Sequence, residues 1–83
     1  MDFYTELANA IVIQAAKDYR KALKTLKRYP RYEPAKAVVA EVEEFFRSDW
    51  YRALTDLDGE YLMKRIREEV LSNEAKTKKA KAG

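Results

Sequence analysis

Histidine and cysteine are both absent, and glycine, proline and serine occur only twice each. Without histidine the chain lacks the commonest general base, the commonest metal ligand and every Ser-His or Cys-His nucleophile pair. Without cysteine neither a disulfide nor a thiolate metal site can brace a small core, so packing alone must hold it. The two serines, Ser48 and Ser72, fall where helices begin or end and read as caps rather than nucleophiles. Scarce glycine and proline remove the turns that a sheet fold requires and leave long intervals of straight-chain and charged residues, which favour helices. No apolar run approaches the roughly 18 residues that span a bilayer. Met1-Asp2-Phe3-Tyr4-Thr5-Glu6 also lacks the basic start of a secretory signal. The expectation is a cytoplasmic, non-enzymatic protein with no cofactor, no metal and no membrane contact.

What is present points to one helical domain. A chain of 83 residues buries only about 60–65% of its unfolded surface and supports a single core. With 47% hydrophobic and 37% charged residues it is too apolar for a disordered chain and too charged for a membrane protein. The net charge of +3 is concentrated at the C-terminal end, where Lys76, Lys78, Lys79 and Lys81 stand without an acid between them. Residues 1–74 carry 13 basic and 14 acidic side chains, so this part is polarised rather than basic. Residues 17–36 hold eight cations against two acids, and residues 41–60 hold seven acids against two cations.

The periodicity predicts a compact all-α bundle of three to four helices with a long N-terminal helix. That first helix runs from Asp2 or Phe3 to about Arg28, with Tyr4, Leu7, Ile11, Val12, Ala15, Tyr19, Ala22, Leu23 and Leu26 on one broad stripe. Pro30 ends it at Tyr29, and Pro34 suits the first turn of a second helix that reaches about Arg47. Ala35, Val38, Val39, Val42, Phe45 and Phe46 form that helix's apolar face. Ser48 caps a short third helix in which Trp50, Tyr51 and Leu54 are expected inward, with Trp50 as the core anchor. Asp58 caps a fourth, reaching Leu71 or Ser72 and carrying Leu62, Met63, Ile66 and Val70 on one side. The domain is placed at 1–74, and 75–83 is read as a disordered Lys-rich tail.

Three surfaces are candidates for binding. Lys17, Arg20, Lys21, Lys24, Lys27 and Arg28 form a cationic stripe that Arg31 extends, with Tyr29 and Tyr32 as stacking groups, and such a stripe can track the phosphates of a nucleic acid. The acids Glu41, Glu44, Asp49 and Asp56 could face a basic protein partner instead. Both sets also fit the plain role of solvated helix faces. Ala10 and Ile13 lie away from the core stripe and mark a self-association surface, hence a homodimer, or a lone apolar pair on the outside. Asp56-Leu57-Asp58-Gly59-Glu60 superficially invites a calcium loop, but the twelfth position from Asp56 is Arg67 rather than a glutamate, so helix-start chemistry is the better reading.

Phe45-Phe46-Arg47-Ser48-Asp49-Trp50-Tyr51, continued by Leu54-Thr55-Asp56-Leu57-Asp58-Gly59-Glu60-Tyr61-Leu62, resembles an uncharacterised family of small proteins encoded by phages and integrated elements of Gram-positive bacteria. Ala10-Ile11 through Asp18-Tyr19-Arg20-Lys21-Ala22-Leu23 is similar to that family's first helix, and the likeness covers most of residues 8–70. No assigned activity and no functional residues come with it. It implies a setting: small proteins of this type bind and block host enzymes in the host cell cytoplasm, as counter-defence inhibitors, or act as accessory nucleic-acid binders. The expectation is therefore a phage-type binding protein with a host protein as partner, and nucleic acid as the alternative.

Overall fold

The computed structural model describes the backbone of residues 2–82 and the side chains of residues 2–72. Its four helices are α1 (Phe3–Arg28), α2 (Glu33–Phe46), α3 (Asp49–Leu54) and α4 (Gly59–Ala82), with no strand among the described residues. This is the all-α bundle with a long first helix. The side chains of the Lys-rich segment 75–83, expected as a disordered tail, lie outside the described residues, as does any test of a boundary at residue 74.

Each helix start is chemically marked. Asp2 caps α1 by accepting from the Tyr4 amide at 3.1 Å and from the Thr5 hydroxyl at 2.7 Å, and these bonds, the hydroxyl's foremost, hold its carboxyl below the usual carboxylate range. Ser48 caps α3 by accepting from the Tyr51 amide at 3.1 Å, while its own hydroxyl donates to the Phe45 carbonyl at 2.6 Å. Asp58 caps α4, taking the Glu60 amide at 2.9 Å. Pro34 sits in the first turn of α2, where its missing N–H would have no intrahelical acceptor. The Tyr29–Tyr32 turn thus returns α2 along α1 as a helical hairpin.

The core joins all four helices. Val12 and Tyr19 of α1, Val42 and Phe46 of α2, Tyr51 of α3, and Met63 and Ile66 of α4 form one buried cluster. Ala8, Ala22 and Ala35 are buried beside it, small residues that let neighbouring helices come close. Aromatic rings meet mostly edge to face at the α2–α3 junction: Tyr51 lies 5.3 Å from Phe46 and 5.6 Å from Phe45, centroid to centroid. Gly59 touches the same junction. A Cβ there would collide with the Phe46 carbonyl oxygen, so the end of α2 and the start of α4 approach only because position 59 carries no side chain.

Three sequence expectations need correction, and the first is the end of α4, read at Leu71 or Ser72 from the loss of apolar periodicity but reaching Ala82. Trp50, read as the core anchor, is 60% exposed, and Tyr51, at 1%, holds the interior place. Adjacent helical residues diverge by about 100°, so a six-residue helix can turn only one of the two rings inward, and the edge-on stacking of Tyr51 on Phe45 and Phe46 selects it. On α1, Tyr4 and Leu7 are exposed although they fall on the apolar stripe, whereas Ala8, at the stripe's centre, is buried. The stripe is wider than the arc its partner helices cover, and burial centres on Ala8, Val12, Tyr19 and Ala22.

Candidate functional site

The uncovered edge of the α1 stripe becomes a surface feature. Phe3, Leu7 and Ile11 follow one another at four-residue spacing along α1, with Tyr4 beside Leu7. Ile11 and Ala15 then face Val42 and Phe45 of α2 across a shallow depression of about 380 Å³, which Trp50 closes at one end. Trp50 is held there by an edge-to-face contact with Phe45 at 5.3 Å. Phe3 is 76% exposed and Leu7 50%, so further apolar surface lies on the first half of α1, one and two turns before Ile11.

The rim of this groove is acidic on both sides. Asp18 of α1 and Glu41 of α2 line it, and Glu44 stands one turn further along α2. The Asp18 carboxylate accepts only from the Gln14 amide, at 2.9 Å, and no cation pairs with Asp18, Glu41 or Glu44 among the described residues. Several other acids do find cations: Glu33 binds Lys36, Glu43 lies near Arg47 and Arg67, Glu68 near Arg65, and Glu69 binds Arg20. Unpaired carboxylates thus flank the same surface that the exposed aromatics occupy.

The remaining acids are placed differently. Asp49 binds Arg52 on its own helix. Asp56 lines a separate cleft of about 660 Å³ between α3 and the start of α4, together with Arg47, Arg52 and Asp58. There Glu60 binds Arg47, and that bond draws the Glu60 carboxyl below its ordinary range and pushes the Arg47 guanidinium up. Glu41 therefore lines the groove, Glu44 stands one turn beyond it, and Asp49 and Asp56 lie elsewhere.

The cationic stripe also divides. Lys17, Lys21 and Lys24 are exposed on the outside of α1, and Arg28 and Arg31 are exposed at the α1–α2 corner. Arg20 and Lys27 turn toward α4 instead, Arg20 binding Glu69 at 3.0 Å and Lys27 donating to the Val70 carbonyl at 3.5 Å. At the corner, Arg28, Tyr29, Pro30, Arg31 and Tyr32 surround a shallow depression of about 460 Å³. Ala10 and Ile13 are exposed on α1.

One polar arrangement has no signal in the sequence. The Tyr19 ring is fully buried, yet its hydroxyl donates to Glu43 of α2 at 2.8 Å and accepts from Arg67 of α4 at 2.9 Å. Burial first, and then the bond to Glu43, pushes the phenol's ionisation upward. Three helices meet at this hydroxyl, which makes it a structural fastening. The groove combines solvent access, apolar area and unpaired carboxylates. No family model, no curated protein and no solved structure matches the chain.

Proposed function

We propose that this chain is a non-enzymatic binding protein of the phage type, one that docks on a host protein through the α1–α2 groove and blocks it, as a counter-defence inhibitor does in the host cytoplasm. The observation that carries this reading is the exposure of Trp50 on the lining of the α1–α2 groove, with Leu7 and Phe3 exposed further along α1. Large aromatics left in water beside apolar surface are among the groups that anchor protein interfaces, where tryptophan and tyrosine are over-represented among the residues that carry the binding energy. The sequence resemblance to small phage-encoded proteins supports the same class. Capture from the cytosol of a Gram-positive host tests it. The wild type should retain a protein after nuclease treatment, and Trp50→Glu should release it; capture that is indifferent to Trp50, or that vanishes with nuclease, refutes the groove reading.

The α1–α2 corner favours a second reading, an accessory contact with nucleic acid. Two exposed tyrosines interleaved with Arg28 and Arg31 offer base stacking beside phosphate contacts, and Lys17, Lys21 and Lys24 continue the positive track. Anisotropy with a labelled single strand and a labelled duplex at about 50 mM salt decides it, because phosphate binding weakens log-linearly as salt rises. Reversal of the three lysines to glutamate should abolish binding and flatten the salt slope; a wild type that binds neither probe removes this reading.

A further inference from the structure

We infer that the groove receives an amphipathic α-helix of the partner whose apolar face lies on Leu7, Ile11 and Trp50 and whose flanks carry lysine or arginine opposite Asp18 and Glu41. The inference rests on the protein-binding reading above and specifies the occupant. Leu7 to Asp18 covers about 17 Å of α1, so the groove accommodates roughly three turns of a helix. Its two walls are helices whose backbone donors and acceptors are already used internally, so an extended peptide would find no strand edge to pair with. A helix needs no main-chain partner and places anchors at three- and four-residue spacing, which suits a furrow between two helices. The charge decides the flanks: carboxylates unpaired on both walls favour cations along both sides of the incoming helix and oppose an anionic membrane surface or a phosphate backbone.

Trp50 is the only tryptophan in the chain, so its emission reports occupancy directly. The probes are three synthetic peptides of about four turns with one apolar face: a lysine-flanked helix, the same pattern flanked by glutamate, and the lysine form broken by a central proline. The lysine-flanked helix should shift Trp50 emission to the blue with a Kd of roughly 10–100 µM at low salt, and the other two should bind at least about tenfold more weakly. In the full chain, Asp18→Asn with Glu41→Gln should weaken the lysine peptide by about fivefold or more while helical content stays unchanged. Equal binding by the glutamate or proline peptide overturns the inference, as does a carboxamide variant that binds normally. An emission shift that follows protein concentration, with no response to any peptide, also overturns it and assigns the groove to a second copy of the chain. Failure of all three peptides while host capture still depends on Trp50 sinks the helix and leaves protein binding standing. Capture that ignores Trp50 sinks both.

Discussion

At the scale of single residues, the two neighbours Trp50 and Tyr51 have opposite duties, and substitutions separate them. Trp50→Ala should cost less than about 1 kcal/mol of stability because most of the ring is already in water, whereas Phe46→Ala should cost about 3–5 kcal/mol through the cavity it leaves. Chemical denaturation of the two variants checks the contrast. The Tyr51 hydroxyl is buried without a hydrogen-bond partner among the described residues, so Tyr51→Phe should be neutral or mildly stabilising in the same assay. Gly59→Ala should go the other way. Added methyl groups at helix starts are ordinarily tolerated, but this one would meet the Phe46 carbonyl, and displacing backbone should cost about 1–3 kcal/mol. A melting temperature unchanged by Gly59→Ala would show that α2 and α4 do not approach so closely. Gly59 was legible in the sequence only as a helix-start residue next to Asp58; its closeness to Phe46 depends on how two helices cross, which periodicity does not encode.

At the scale of helices, the Tyr19 hydroxyl fastens α1 to α2 and α4, and pH can loosen it. Burial of Tyr19, and burial of Tyr51 together with the nearby Asp58 charge, raise both phenols above their ordinary ionisation. A group raised in the folded state lends stability that is complete below its unfolded value, here about pH 10, and fades as pH climbs through the folded one. The last two of the six tyrosines to form tyrosinate should therefore do so together with loss of helical circular dichroism. Ionisation of all six while the helices persist would contradict the burial of Tyr19 and Tyr51. Helix positions were largely readable, because Asp2, Ser48, Asp58, Pro30 and Pro34 are strong local punctuation. The groove was less so: Tyr4, Leu7 and Ile11 are as apolar as Val12, and only the arc occupied by neighbouring helices decides which of them is covered. The Tyr19–Glu43–Arg67 arrangement was not readable at all, since its members come from three helices and each is unremarkable on its own.

At the scale of the whole molecule, charge sorting along the chain turns into charge sorting over its surface, with acids at the groove and cations on the outer side and far corner of α1. Within these two populations Arg20 faces Glu69 and Asp49 faces Arg52, so neither points only to solvent. Ile13 lies among the lysines of the outer face, 53% exposed, and tests whether copies of the chain meet there. If they do, light scattering should show a dimer that Ile13→Glu converts to a monomer; a monomeric wild type, or a dimer indifferent to the change, excludes that face. The fastening at Tyr19 also has a consequence in time. Its contact with Glu43 closes over 24 residues of chain, and its contact with Arg67 over 48. Doubling the separation adds only about 0.6 kcal/mol of closure entropy, so the two events differ little in cost but follow a natural order. The α1–α2 hairpin is the nearer pairing, and until α4 arrives it holds a phenol with half of its bonds made. Docking of α4 adds the Arg67 bond to this hydroxyl and brings Met63 and Ile66 into the core, so the polar and apolar parts of that contact form together.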